Sequence, residues 1–217
     1  MWQCGDTKRG NVLGDGGVLE KNTGELMEYR HLIGNSRYRA LWSKSYGNEL
    51  GSLSRRMPGQ VKGTATILFI DKAGIPADLW KEVTYGLIVV SYRPEKADPN
   101  RTRLTVGSDR VDCPGDCGIP TTYLLSDKLL LNSTIFMPGT HFITIDIKDV
   151  YLMTPMNRYK YKRLKIANLP KYVIQQYTLR DKVTKYGYVY LEIRQGLYGL
   201  PQAGILAQKQ LEKMLNA

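Results

Sequence analysis

Thr144-Ile145-Asp146-Ile147-Lys148-Asp149-Val150-Tyr151 is the stretch on which the reading of this chain turns. Alternation puts Phe142, Thr144 and Asp146 on one face and Ile143, Ile145 and Ile147 on the other, so a strand is expected over 142–147. Such a strand delivers the Asp146 carboxylate at its C-terminal end. A second acid, Asp149, and an aromatic ring, Tyr151, follow within one turn. Hard divalent cations take carboxylate oxygens as ligands, so Asp146 is the first candidate metal ligand.

Working outward, β-branched alternation predicts a strand over 64–70, with a turn at Ala73-Gly74-Ile75-Pro76. Two further strands, over 83–92 and 102–106, flank the polar loop 93–101, which contains Pro94 and Pro99. The pair reads as a hairpin with Arg93, Lys96, Arg101 and Arg103 at or near its tip. Charge at an edge blunts strand pairing; it equally suits the gripping of a phosphate. A short helix is expected from Leu41 or Ser43 to Leu53, and another, capped by Thr121 or Thr122, running to Phe136. Downstream of the acidic stretch, Thr154-Pro155 ends a short helix and Leu169-Pro170-Lys171-Tyr172 opens another. Residues 183–186 and 188–193 read as a tyrosine-rich hairpin about Gly187. Residues 204–215 read as an amphipathic helix with Leu206, Leu211, Met214 and Leu215 on its apolar side.

Composition narrows the classes. With 217 residues, 42 % hydrophobic and 24 % charged, the chain can build a core and is not a disordered segment. Basic residues number 31 and acidic ones 20, a net charge of +11. Residues 151–217 hold twelve Lys or Arg against three acids, so +9 of that excess lies in the last third. No acid occurs from Val150 to Arg180, and Tyr151, Tyr159, Tyr161, Tyr172 and Tyr177 interleave with the cations. A solvated basic face is the plain account of such a run; the interleaved aromatics favour nucleic acid. Three cysteines (Cys4, Cys113, Cys117) make no disulfide framework, and Cys113 and Cys117 with only His31 and His141 elsewhere fall short of a structural zinc site. Reduced thiols, no signal peptide and no run of membrane-spanning length point to a cytoplasmic or nuclear protein with no membrane partner.

Taken in order, the hairpin Tyr92-Arg93-Pro94-Glu95-Lys96 with Arg101-Thr102-Arg103-Leu104-Thr105-Val106-Gly107, the stretch Asp146-Ile147-Lys148-Asp149-Val150-Tyr151-Leu152-Met153-Thr154-Pro155, and the block Gly196-Leu197-Tyr198-Gly199-Leu200-Pro201-Gln202-Ala203-Gly204 resemble the reverse transcriptases of copia-type retrotransposons. The resemblance covers about 60–217. It implies an α+β fold, the fingers and part of the palm of a right-hand polymerase, with a mostly antiparallel sheet and flanking helices. Residues 1–40 are then expected as a flexible arm or an upstream polyprotein segment and 41–217 as the polymerase domain. The implied function is RNA-directed DNA polymerisation by two-metal nucleotidyl transfer, with Mg²⁺ as cofactor, and template-primer (RNA or DNA) and dNTP as partners. Asp146 would be catalytic and, with the Ile147 backbone, a metal ligand. Arg103 and one of Arg93 and Lys96 would grip the triphosphate, with Asp149 beside it. Tyr151 would block a ribose 2′-hydroxyl, and Gln202 would line the sugar pocket.

The chain departs from the family in ways that carry expectations. It has no adjacent pair of aspartates, and two metal ions at close range need several negative ligands. The polypeptide is therefore expected not to polymerise alone, and the downstream part of the polymerase or a second copy of the chain are further candidate partners. Gly107-Ser108 stands where two glycines are expected, and Lys160 where an acid is expected. A non-catalytic nucleic-acid-binding module or a decayed element remnant is the alternative. Unpaired, the 142–147 strand is expected to expose its isoleucines.

Overall fold

The computed structural model describes residues 2–3, 16–20, 23–57, 61–107, 118 and 122–216. The Cys113/Cys117 pair, the candidate cap Thr121 and residues 1, 4–15 and 21–22 of the expected arm lie outside them. The first strands are short: β1 (Trp2–Gln3), β2 (Val18–Glu20) and β3 (Leu26–Met27) form a three-stranded antiparallel ribbon. Helices α1 (Tyr29–Gly34) and α2 (Ser36–Leu53) follow, and then a two-stranded antiparallel ladder of β4 (Arg56–Met57) and β5 (Val61–Lys62). The arm expected over 1–40 therefore gives way to helix from Tyr29 onward, and Leu32 is fully buried. The reason is local: the Asn35 side chain accepts the Arg37 N–H at 2.9 Å and caps α2 six residues before Leu41, the earlier of the two expected starts. From there Trp42, Tyr46, Leu50 and Leu53 recur at helical spacing, and all are buried.

The main sheet has five strands: β6 (Ile67–Ile70), β7 (Thr84–Tyr92), β8 (Asn100–Val106), β9 (Pro155–Lys165) and β10 (Tyr188–Gln195), in spatial order β6-β10-β9-β7-β8. All pairings are antiparallel except β7 with β9, which run parallel through Thr84↔Lys162 and Tyr85↔Arg163. The protein is thus α+β, with α2 packed against β8. The β7–β8 hairpin forms as expected. On β8, Thr102, Leu104 and Val106 turn into the core, so alternation sets Arg101 and Arg103 on the opposite face.

Two expectations fail. Residues 142–147 make no ladder, although their alternation is that of a strand. A strand exists only where a neighbour satisfies its backbone groups, and among the described residues the sheet ends at β6 and β8, neither of which pairs with this segment. Ile143 and Ile145 are 76 % and 80 % exposed, as the unpaired strand would have left them. Nor do 183–186 pair with 188–193. β10 lies instead between β6 and β9, and Val189, Leu191 and Ile193 are fully buried. Its partner β9 escaped detection because it is written with Arg158, Lys160, Lys162, Arg163 and Lys165, which hide a strand that buries Met156, Tyr161 and Leu164.

The remaining helices are α3 (Leu124–Phe136), α4 (Val150–Met153), α5 (Lys171–Gln176) and α6 (Ala203–Leu215). α6 docks through Ala203, Gly204 and Ala207, while Met214 and Leu215, expected on its buried side, are exposed. One large cluster holds the face of the sheet under α2. A second, smaller one (Ile75, Leu79, Val83, Tyr161 and Tyr190) sits on the other face, under the 3₁₀ helix Ala77–Glu82.

Candidate functional site

Three segments meet at an open cavity of about 660 Å³. Strand β8 contributes Arg101 and Arg103. The loop leading into α4 contributes Asp146, Ile147, Lys148 and Asp149, and α4 adds Tyr151. The turn after β10 and the helix α6 contribute Tyr198, Gln208 and Leu211.

Each wall has a local cause. Asp149 has φ 56°, the left-handed region, which Asp tolerates better than most residues. That bend turns the chain from the extended 142–147 segment into α4 and puts Asp146, Asp149 and Tyr151 on one rim. Opposite, the Gly196–Gly199 turn is wedged between α4 and β8. A Cβ on Gly196 would lie 2.5 Å from the Tyr151 carbonyl oxygen. Gly199, at φ +89°, passes so close to β8 that a Cβ would lie 2.5 Å from the Val106 carbonyl oxygen. The Val106 N–H donates to the Tyr198 carbonyl at 3.0 Å, which ties the turn to the edge of the sheet. Tyr198 is thereby held under Arg103, whose guanidinium lies 4.7 Å from its ring centroid, and edge-on to Tyr151 at 6.3 Å.

Charge is arranged for an anion. Burial first, then the neighbouring Arg103 and Arg93 cations, lower the Arg101 guanidinium from its usual value. The Arg103 Nε is buried with no hydrogen-bond partner among the described residues. A half-buried guanidinium whose Nε donor is unused, next to a second arginine, is set up to receive phosphate or carboxylate oxygens. Glu49 on α2 supports this strand from behind, accepting the Leu104 N–H at 3.1 Å.

The expected site residues divide. Asp146, Ile147, Asp149, Tyr151 and Arg103 come together at this cavity. Arg93 and Lys96 stay in the hairpin turn, where the Lys96 N–H donates to the Arg93 carbonyl, and neither lines the cavity. Gln202 stands at the N-cap of α6, its buried side-chain oxygen without a hydrogen-bond partner among the described residues, and does not line it either. Arg101 and Tyr198 were missed as site residues. Arg101 was legible as the period-two partner of Arg103, and Tyr198 as the ring between two close-packed glycines.

The residues present do not fit a pair of magnesium ions. The cavity's carboxylates are Asp146 and Asp149, facing Arg101 and Arg103, and among the described residues no three of His, Cys, Asp and Glu gather to hold a metal ion. The chain matches no protein-family model, no curated protein and no solved structure. Among the described residues no helix is long and apolar enough to cross a membrane.

Proposed function

We propose that this chain is the fingers and part of the palm of a copia-type retrotransposon reverse transcriptase, and that its cavity holds the triphosphate and sugar of a dNTP at the end of a template-primer. One observation carries the reading: residues to which the resemblance gives the metal, triphosphate and sugar roles lie far apart in the chain yet line one cavity, with Arg103 across from Asp146, Asp149 and Tyr151. Arg101 and Arg103 supply permanent positive charge and forked donors for phosphate oxygens. Tyr151, braced by Tyr198, forms the wall against which a deoxyribose fits and a ribose 2′-hydroxyl collides. The carboxylate content favours binding without polymerisation by this polypeptide.

Titration of the chain with a fluorescent dNTP tests the site. Arg103→Ala should weaken binding by tenfold or more, about the worth of one charge-assisted pair, and Tyr151→Ala should narrow the preference for dNTP over rNTP. Equal binding by the native chain and Arg103→Ala overturns the site. Primer extension with Mg²⁺ should stay at background, and extension that depends on Asp146 would show that the polypeptide polymerises. A second reading, a nucleic-acid-binding module without chemistry, is favoured by the same shortage of carboxylates. It predicts salt-dependent RNA affinity, unchanged by Asp146→Ala, with no dNTP binding.

A further inference from the structure

We infer that a second groove, away from the Asp146 cavity, binds a nucleotide unit of single-stranded nucleic acid, with Arg163, Lys165 and Arg30 taking its phosphates and Tyr85 its base. The groove exists because β7 and β9 pair in parallel for only two residues, Thr84↔Lys162 and Tyr85↔Arg163. Beyond that point the strands part, and a cavity of about 390 Å³ opens between Gly86 and Ile88 on one lip and Leu164 and Lys165 on the other.

Its chemistry is one-sided. The charged side chains lining it are Arg30, Arg163 and Lys165, with no acid among them. Counter-charge comes from Glu28, which pairs with Arg30 at 2.8 Å and lines the smaller adjoining cavity, and from Glu49, which acts on Tyr46. Arg163 lies over the Tyr188 ring at 4.9 Å, which orients its guanidinium without neutralising it. Tyr85, beside Arg163 in the parallel register, lines the groove and keeps 37 % of its surface exposed. Cations beside an exposed tyrosine are the elements that single-strand binders combine, backbone attraction with sequence-tolerant stacking.

A separate observation points to a ligand. Tyr46 also lines this groove; it is fully buried, and its hydroxyl has no hydrogen-bond partner among the described residues. Such groups are rare in folded proteins and mark places where a donor awaits an acceptor. A phosphate oxygen held by Arg163 and Lys165 supplies one. The groove uses no residue assigned to dNTP binding, so the two readings fail independently.

The test is fluorescence anisotropy of a labelled U12 strand with the full chain, from about 50 to 200 mM salt. Arg163→Ala combined with Lys165→Ala should weaken binding and lower the magnitude of the salt slope by roughly 1.4, the loss of two single-strand phosphate contacts. Lys209→Ala with Lys213→Ala removes equal charge from α6 and should leave that slope nearly unchanged. Tyr85→Ala should weaken binding about tenfold. Tyr46→Phe, which keeps the ring, should weaken it several-fold with no loss of melting temperature. Unchanged affinity and slope in a folded Arg163/Lys165 variant overturn the inference, as does an equal effect from the α6 pair, which would reduce the binding to diffuse charge. Loss of U12 binding in the groove variant with dNTP binding intact supports it, whatever Arg103→Ala does.

Discussion

Lys162 lies fully buried on β9, its ammonium donating to the Thr105 carbonyl at 3.3 Å. Burial lowers its pKa from 10.5 to about 7, against the pull of the Glu49 carboxylate, while burial raises Glu49 itself. Because the folded pKa is below the unfolded one, the unfolded chain binds more protons between about pH 7 and 10.5, and folding becomes more favourable as pH rises through that window. The urea midpoint should therefore increase from pH 7 to about pH 9.5, before tyrosines begin to ionise in the unfolded chain. Lys162→Met should flatten that slope, and a native chain with no slope would remove the buried ammonium from the account. At Gly199 a side chain meets both a left-handed φ and the Val106 carbonyl. Gly199→Ala should cost about 1–3 kcal/mol, read by chemical denaturation, and weaken dNTP binding by moving Tyr198 from beneath Arg103. Asp146, Asp149, Tyr151 and Arg103 were legible as residues of the candidate site because their types and spacing are chemical. Lys162 was not, because nothing in a run of cations tells which one the strand turns inward.

At the scale of elements, α2 and α3 are opposites. α2 buries a continuous stripe from Trp42 to Leu53, whereas α3 has no buried residue along its 13-residue length. An isolated helix of that length is marginal in water, since most helical stability comes from packing. Hydrogen exchange should accordingly find amides of α2 strongly protected and those of α3 exchanging orders of magnitude faster. Comparable protection in both would show that α3 is covered in solution. The β7–β8 hairpin was readable from alternation around a proline-bearing loop. The place of β10 was not, because a strand buried on both faces says nothing about which neighbours it takes, and the nearest candidate in sequence, 183–186, was the wrong one.

For the whole molecule, exposed apolar surface is gathered rather than scattered. Leu129, Ile135 and Phe136 on α3 are 61, 75 and 81 % exposed, and Ile143 and Ile145 follow in the unpaired segment. Surface of this kind drives association. Light scattering at micromolar concentration should report species larger than the monomer, and Leu129→Glu with Ile135→Glu should shift them toward monomer, changing the stability of the fold by no more than about 0.5 kcal/mol because neither side chain is buried. A native chain that is monomeric across that range would contradict this. Most of the local chemistry could be read from residue order alone: the acid-rich stretch, the arginine hairpin, the glycine-bounded tyrosine, the basic last third. These depend on side-chain type and short-range periodicity, which the chain carries at every position. Partners were decided only in three dimensions. The parallel meeting of β7 and β9, the burial of Lys162 beside Glu49, the ladder denied to 142–147 and the gathering of Arg101 with Asp146 all follow from which segments find one another across long stretches of chain, and a backbone's pairing groups are alike in every residue but proline.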